Sequence, residues 1–242
     1  MPNFWESTTV NGEDMGLYVS VPEGDGPFPA VIVIQHQGGV DDFIQEMTQR
    51  MSEAGYAGVA PVLYHRDPPD CIDDAPTRRG RLRDANLIAD VQATIDFLRA
   101  HPGIDSDHIG IVGYCMGGRV AYLMASAMPG LKAAVSYYGG NTMLSWGDGP
   151  TPFDRISDVQ CPVLGHYGEI DANPSVADRD KIDAEMRKHG KQHEIYTYPN
   201  ADHGFMNRRG PRYNAEGDTA SWPRTLDFFA RTLQRAPVAA DN

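Results

Sequence analysis

A single cysteine between two glycines, at the end of an apolar run, is the feature that most constrains this chain. It lies in residues 109–118, Ile-Gly-Ile-Val-Gly-Tyr-Cys-Met-Gly-Gly, and residues 119–128 are typical of a helix. Gly113 and Gly117 stand two residues before and after Cys115. This is the spacing of a nucleophile elbow, in which a sharp turn from strand to helix presents its central side chain beyond the sheet. The positive end of the helix dipole favours a thiolate there. The alternative is a buried cysteine in a glycine-rich turn.

Apolar runs and helical patterns alternate along the rest of the chain. We expect a hairpin over 10–21, strands at 30–34, 56–62, 109–113, 133–138, 162–167 and 193–198, and helices at 43–54, 81–101, 119–128, 175–189 and 222–233. Strands that alternate with helices predict an α/β fold with a mostly parallel central sheet and helices on both faces. Because no repeat or linker interrupts the pattern, we expect one domain over residues 1–242, with a frayed tail at 236–242.

The charge balance argues against several classes of partner. The net charge is −12, which disfavours nucleic acid and anionic membrane surfaces. The longest apolar runs are too short to span a bilayer, and residues 1–6 lack the pattern of a signal peptide. We therefore expect a cytoplasmic protein, a monomer or small homo-oligomer, with its three cysteines reduced. Since the three cysteines are spaced as no metal site would need, we expect neither a metal nor a cofactor.

A carboxylate follows one of the later strands. Ligands bind at the carboxyl ends of the strands in such a sheet, so each strand exit is a candidate for the site. Asp171 lies after the strand at 162–167, where it can orient a histidine and stabilise its cation. Glu169 is the competing acid, and Asp171 is favoured because Pro174 and a helix start follow it. The alternative for Asp171 is a helix cap.

One histidine follows the last strand directly. Residues 201–205 read Ala-Asp-His-Gly-Phe, and His203 is placed there to act as a general base. The order Cys115, Asp171, His203 along the chain is the order of nucleophile, acid and histidine in α/β-hydrolases. The alternative for His203 is a polar surface residue.

The exit of the strand at 30–34 predicts an oxyanion hole. In this fold the loop after the third strand supplies one backbone N–H group, and the residue after the nucleophile supplies the other. Gln37 and Met116 are the candidates. The alternative for residues 35–39 is a flexible loop with two glycines.

These residues resemble the dienelactone hydrolase family (carboxymethylenebutenolidases) of the α/β-hydrolases. The segment Gly-Tyr-Cys-x-Gly-Gly at 113–118 is quite specific, and supporting segments extend along nearly the whole chain at 31–35, 39–40, 55–57, 61–64, 137–139 and 201–205. The resemblance implies a triad of Cys115, His203 and Asp171. It also implies hydrolysis of an ester or lactone without a cofactor.

The chain departs from the family at one position beside the predicted site. Members that act on dienelactone resemble Gln-Glu-x-x-Gly-Val after the third strand, and that glutamate helps to ionise the thiol. Here His36 occupies the position. Because an imidazole cannot replace a carboxylate base in the same charge state, direct pairing of Cys115 with His203 is favoured.

The same members hold the substrate carboxylate with two arginines. Arg78, Arg79, Arg81 and Arg83 lie near the first position without a fixed register, and a solvated helix start is the alternative for this cluster. Near the second position Asn207 takes the expected place. Our candidates for substrate binding are His36, Tyr64, Arg78, Arg81, Tyr137, Phe205 and Arg208, with Trp146 as a further wall residue.

We therefore expect a hydrolase that cleaves a carboxylic ester or lactone through a thioester on Cys115. The alternatives are a general carboxylesterase or thioesterase of the same fold, a thiol-redox protein and a non-catalytic binding protein. The absence of a Cys-x-x-Cys pair argues against the redox protein. Cys71 and Cys161 lack flanking glycines, and we expect both to be bystanders.

Overall fold

The computed structural model describes residues 3–233. Within that range the chain forms eight strands and six α-helices: β1 (Asn3–Val10), β2 (Glu13–Ser20), β3 (Phe28–Ile34), α1 (Asp42–Glu53), β4 (Ala57–Pro61), α2 (Ala75–Gly80), α3 (Asp84–Ala100), β5 (Ile104–Tyr114), α4 (Met116–Ala127), β6 (Ala133–Tyr137), β7 (Val163–Gly168), α5 (Val176–Lys188), β8 (His193–Tyr198) and α6 (Ala215–Leu233). The tail predicted at 236–242 lies outside the described residues.

The eight strands form one sheet in the order β1-β2-β4-β3-β5-β6-β7-β8. β1 and β2 form the predicted hairpin, in which Asn11 and Gly12 both adopt positive φ, at 53° and 89°. A two-residue turn between twisted strands requires this conformation. β2 pairs antiparallel with β4, and every pair from β4 to β8 is parallel. The predicted α/β-hydrolase fold is confirmed.

Both faces of the sheet are buried. Ala30, Ile32 and Ile34 of β3 pack in a core with α3, α4 and α5, whereas Val31 and Val33 pack in a second core with α1 and α6. Successive side chains of a strand point to opposite faces, so a central strand covered on both sides must be apolar throughout. This explains the unbroken apolar run at 30–34.

Several elements differ from the sequence prediction, since the hairpin begins at Asn3 and not at residue 10, and β5 begins at Ile104 and not at residue 109. The last helix begins well before residue 222, although Gly217 and Pro223 both lie within it. The side chain of Asn214 accepts a hydrogen bond from the N–H of Gly217 at 2.8 Å, so it caps a first turn that the glycine obscured. The segment between the strand predicted at 56–62 and the helix predicted at 81–101 also contains the short helix α2.

After the two central strands β3 and β5, the chain continues to opposite sides of the sheet. The chain runs from β3 to β4 on one side and from β5 to β6 on the other. A crevice opens at the carboxyl ends of such a pair. Cys115 follows β5 and Gln37 follows β3, while Asp171 and His203 follow β7 and β8. The topology therefore brings the four predicted segments to one edge of the sheet.

Candidate active site

Cys115 is the single residue between β5 and α4, and its backbone lies at φ 58° and ψ −118°. A non-glycine residue in this region is strained, and such strain is concentrated at functional sites. A Cβ on Gly113 would lie 1.9 Å from the carbonyl O of Gly117, and a Cβ on Gly117 would lie 2.4 Å from the carbonyl O of Ile34. The sharp turn therefore depends on both glycines, as their spacing predicts.

His203 and Asp171 form a direct side-chain pair. Nδ1 of His203 lies 2.9 Å from Oδ2 of Asp171, whose side chain is buried. The other carboxylate oxygen accepts a hydrogen bond from the N–H of Asn173 at 2.8 Å. Glu169 is exposed and accepts instead from the N–H of Asn200 at 3.0 Å. Asp171, and not Glu169, is therefore the carboxylate that meets the histidine.

The thiol of Cys115 and the imidazole of His203 are hydrogen-bonded and favour opposite charges. Burial opposes both charges. The hydrogen bond and the charge of His203 nevertheless lower the pKa of Cys115 below its ordinary value. Burial lowers the pKa of His203, but its hydrogen bonds to Asp171 and Cys115 outweigh this effect and raise the pKa to about 10. Both shifts favour a thiolate–imidazolium ion pair.

Two backbone N–H groups are directed at the sulfur of Cys115, those of Met116 and Gln37. The carbonyl O of Gln37 accepts a hydrogen bond from the hydroxyl of Tyr64 at 3.0 Å, and the same hydroxyl lies 3.5 Å from Sδ of Met116. Tyr64 is buried and does not line the cavity around Cys115, so the prediction that it contacts substrate is corrected. Its hydroxyl instead holds the loop that carries Gln37.

Cys115 lies where two lobes of a surface cavity meet. Gln37, Cys115, His203 and Arg212 border both lobes. The first lobe, of about 460 Å³, is also lined by Arg79, Gly140, Asn141, Trp146, Ile170 and Asn173. The second lobe, of about 320 Å³, is also lined by His36, Phe43, Tyr138, Asn207 and Pro211. A substrate with its scissile bond at Cys115 can extend one part into each lobe.

Tyr137 and Phe205 lie beneath the cavity and not in its wall, which corrects the prediction for both. Each side chain is completely buried. The hydroxyl of Tyr137 lies 2.7 Å from Oγ1 of Thr225 in α6, and the ring of Phe205 packs against Tyr138 at 5.3 Å between centroids. Tyr138 borders the second lobe in place of Tyr137, and it lies just past the end of β6, where its backbone turns to φ 41°.

The three arginines predicted to bind substrate are paired with carboxylates outside both lobes. Nε of Arg78 lies 2.7 Å from Asp67, and Nη1 of Arg81 lies 3.0 Å from the same carboxylate. Nη2 of Arg208 lies 2.8 Å from the buried Asp218. Because none of the three borders either lobe, the prediction that they contact substrate is corrected.

Arg79 and Arg212 border the cavity instead. Nη1 of Arg79 lies 3.5 Å from Oε1 of Gln37, and Nε of Arg212 lies 3.4 Å from Asp202. Arg79 belongs to the arginine cluster seen in the sequence. Adjacent helical residues point about 100° apart, so only the register of the helix decides which of them faces the site. Arg212 lies in no motif, and sequence reasoning missed it.

His36, a predicted substrate contact, borders the second lobe and is held by Asp41. Nε2 of the ring lies 2.7 Å from Oδ2 of Asp41, and the ring packs edge-on against Phe43. Burial raises the pKa of Asp41, but the hydrogen bond and charge of His36 and two backbone N–H groups outweigh it. The pKa therefore lies below its ordinary value. The carboxylate is therefore ionised beside the ring at neutral pH.

The other cysteines lie outside the cavity. Burial raises the pKa of Cys161 to about 12, and Sγ of Cys71 lies 3.7 Å from Asp73. Within residues 3–233, no three His, Cys, Asp or Glu side chains are grouped so as to hold a metal ion. In the same described range, no helix combines the length and the apolar character needed to cross a membrane.

Comparison with known proteins gives consistent matches over nearly the whole chain. A model of the dienelactone hydrolase family matches residues 15–233. A protein of Synechocystis sp. named "Putative carboxymethylenebutenolidase" is 32% identical over 228 residues, which cover 90% of this chain and 92% of that protein. A protein of the same name from Salmonella typhimurium is 34% identical over 234 residues, which cover 93% of this chain and 86% of that protein.

A solved structure shows the same similarity in three dimensions. The crystal structure of a "Putative Dienelactone Hydrolase" from Klebsiella pneumoniae subsp. pneumoniae MGH 78578 superposes with a TM-score of 0.86. The two chains are 33% identical, and the match covers 96% of this chain and 100% of that chain. The similarity therefore extends to the arrangement of the strands and helices that carry the cavity.

Proposed function

This chain belongs to the dienelactone hydrolase family, and we propose that it hydrolyses a carboxylic ester or lactone with Cys115 as the nucleophile. The observation that carries the proposal is the setting of Cys115. Its sulfur is paired with the cation of His203 and faces two backbone N–H groups at a strained turn. Such a setting supplies a nucleophile, a proton carrier and an oxyanion site together.

In the first step the thiolate attacks the carbonyl carbon, and the carbonyl oxygen becomes an oxyanion. The N–H groups of Gln37 and Met116 stabilise that oxyanion, and losing one such donor costs on the order of 10²-fold in rate. The imidazolium of His203 gives its proton to the leaving oxygen as the carbon–oxygen bond breaks. An acyl thioester remains on Cys115, and the alcohol is free or, for a lactone, still attached to the acyl group.

Acylation then removes the charge that held the proton on His203. The thiolate contributes to the raised pKa of that ring, so the pKa falls once the sulfur is acylated. Neutral His203 takes a proton from water, and the hydroxide attacks the thioester. Collapse of this intermediate releases the acid and restores the thiolate beside the imidazolium. Asp171 holds the ring in place and stabilises its cation through the cycle.

We propose that the substrate carries a carboxylate. Arg79 and Arg212 present cationic groups to the first lobe of a chain whose net charge is −12. Among residues 3–233, Arg212 has Asp202 nearby, whereas Arg79 has no carboxylate within ion-pair distance. A guanidinium without a carboxylate partner at the wall of a cavity favours an anionic ligand.

A general carboxylesterase or thioesterase that does not act on dienelactone is the second candidate. The pair of His36 and Asp41 supports it, because an imidazole stands where members acting on dienelactone have a glutamate. A thiol-redox role has less support, since neither Cys71 nor Cys161 borders either lobe with Cys115. A non-catalytic role would leave the charged pair at Cys115 without use.

Turnover of 4-nitrophenyl acetate tests the nucleophile. Cys115→Ala and His203→Ala should each abolish turnover, and mass spectrometry should detect an acyl group on Cys115 in the wild type. Cys161→Ala is the matched control, because it removes a buried thiol outside the cavity. Full activity in purified Cys115→Ala would overturn the proposal, as would preferential alkylation of Cys71 or Cys161.

A panel of esters and lactones, each with and without a carboxylate, separates the two candidate functions. Faster turnover of carboxylate-bearing lactones, dienelactone included, supports the first. Faster turnover of neutral esters or thioesters supports the second.

We further propose that the chain is one domain, since all eight strands belong to one sheet. We also propose a cytoplasmic monomer or small homo-oligomer that binds neither nucleic acid nor membranes. The net charge of −12 supports the last point.

A further inference from the structure

Arg119 lies in α4, the helix that follows Cys115, and its side chain is completely buried. It is the only charged residue of α4, which otherwise packs apolar and small side chains against the sheet. Its Nη1 lies 2.6 Å from Oδ1 of Asp84 and its Nη2 lies 3.0 Å from Oδ2, so the two groups form a bidentate ion pair. Burying a guanidinium is costly unless its donors are satisfied. Apolar residues in place of a buried ion pair are often at least as favourable for stability.

The remaining donors of Arg119 hold residues 139–152, which we call the wall loop. Nε donates to the carbonyl O of Asn141 at 3.2 Å, and Nη2 donates to the carbonyl O of Leu144 at 2.5 Å. The guanidinium also lies 4.0 Å from the ring centroid of Trp146. Four hydrogen bonds and one ring face thus fix this single side chain.

Asp84 holds the same loop from the other side. One carboxylate oxygen accepts from the N–H of Trp146 at 3.1 Å, and the N–H of Asp84 donates to the carbonyl O of Trp146 at 2.7 Å. The wall loop itself contains no helix or strand. The ion pair between Arg119 and Asp84 therefore supplies much of what determines its position.

The wall loop borders the first lobe. Gly140, Asn141 and Trp146 all line it, as do Arg79 and Cys115. The backbone N–H of Arg119 also lies 3.4 Å from the carbonyl O of Cys115. One turn of α4 thus joins the candidate nucleophile to the wall that a substrate would meet.

We propose that Arg119 is a positioning residue for substrate binding, which holds the wall of the first lobe at a set distance from Cys115. The inference rests on the proposed function, because it needs a substrate whose acyl part enters the first lobe. A displacement of about 1 Å at such a wall can cost up to 10²-fold in rate. Arg119 thereby acts on which acyl groups are accepted, and not on the charge of the thiol.

The chain offers a matched control for a purely structural role. Arg50 in α1 lies 4.0 Å from the ring centroid of Trp222 and 3.3 Å from the buried Asp218. It repeats the arrangement of arginine, aspartate and tryptophan on the opposite face of the sheet. None of these three residues borders either lobe. Arg50→Met therefore removes similar interactions without touching the cavity.

The test compares two esters with the same 4-nitrophenyl leaving group, one acetyl and one with a bulky acyl group that fills the first lobe. In Arg119→Met, kcat/KM for the bulky ester relative to the acetyl ester should fall about tenfold, mainly through KM. Arg119→Lys keeps the charge but not the planar fork, so its ratio should lie between those of Arg119→Met and the wild type. In Arg50→Met the ratio should stay within about twofold of the wild type.

A double variant shows whether the effect passes through the wall loop. Trp146→Ala alone should lower the ratio, and adding Arg119→Met should lower it little further, because both changes act on one wall. An equal loss for both esters, a similar fall in Arg50→Met, full additivity in the double variant or a shifted pH profile for Cys115 alkylation would each overturn the inference. If Arg119→Met does not fold, Arg119→Lys with and without Trp146→Ala decides.

This outcome is separable from the fate of the proposed function. Hydrolysis that persists in Cys115→Ala would refute the nucleophile, whatever the ratios. Hydrolysis that depends on Cys115, with an unchanged ratio in the Arg119 variants, would refute only the positioning role.

Discussion

Asp41 binds a helix terminus with one carboxylate oxygen and His36 with the other. Oδ1 accepts hydrogen bonds from the N–H groups of Phe43 and Ile44 at 3.1 and 3.2 Å, and Oδ2 lies 2.7 Å from Nε2 of His36. The histidine in the position of the family's glutamate is therefore part of a helix cap. Any side chain introduced at residue 36 therefore lies beside the negative charge of Asp41.

We predict that His36→Glu alone raises dienelactone turnover less than His36→Glu combined with Asp41→Asn. In the single variant the new carboxylate faces Asp41, and two like charges at this distance raise one of the two pKa values. Asn at residue 41 keeps an oxygen for the helix cap and removes the repulsion. Steady-state kcat/KM for dienelactone measures the effect, with Asp41→Asn as the control. If the double variant is no faster than this control, residue 36 does not limit the thiol.

The rate of Cys115 alkylation by iodoacetamide should depend on pH as an ion pair requires. The pKa of Cys115 is lowered and that of His203 is raised to about 10, so the midpoint of alkylation should lie below that of an ordinary thiol. An ordinary thiol reacts fully only above its pKa of about 8.5. His203→Asn removes the cation and should move the midpoint upward. Identical midpoints in the two proteins would contradict the ion pair, and Cys71 provides an internal comparison.

Gly113→Ala should unfold or severely destabilise the protein. Its Cβ would lie 1.9 Å from the carbonyl O of Gly117, in the turn that carries Cys115. We expect a loss of more than about 3 kcal/mol in the free energy of unfolding, measured by urea denaturation. Gly80→Ala is the control, because its Cβ meets nothing within 4 Å and its φ is not positive. That change should be neutral or stabilise by up to about 1 kcal/mol. Equal stabilities for the two variants would contradict the packing argument.

Arg79→Gln and Arg212→Gln should weaken the binding of substrates that carry a carboxylate. A hydrogen bond to a charged group contributes about 1.5–3 kcal/mol, so each change should raise KM roughly tenfold or more. The KM for a neutral ester of the same size should change little. Arg208→Gln is the matched control, because Arg208 is paired with Asp218 outside the cavity. A rise in KM of the same size for the neutral ester would show that the arginines do not bind the substrate carboxylate.

The fold and the family could be predicted from the sequence because they depend on local patterns. The glycines around Cys115 and the apolar run at 30–34 each report a conformation over a few residues. Strands alternating with helices leave few topologies, and the mostly parallel sheet is confirmed. The last helix was harder to predict, since a glycine and a proline within it mask a start that Asn214 caps.

The order of residues along the chain is enough to predict which side chains follow the strands, and hence that Cys115, Asp171 and His203 meet at one edge of the sheet. Which neighbours face the cavity depends on the folded arrangement: Tyr138 lines it and Tyr137 does not, and Arg79 lines it and Arg78 does not. A helical side chain's direction depends on the register of its helix against partners distant in sequence, and a shift of one residue turns it by about 100°. Tyr138 lies just past the end of β6 at φ 41°, so the turn of the backbone there, and not strand alternation, sets its direction.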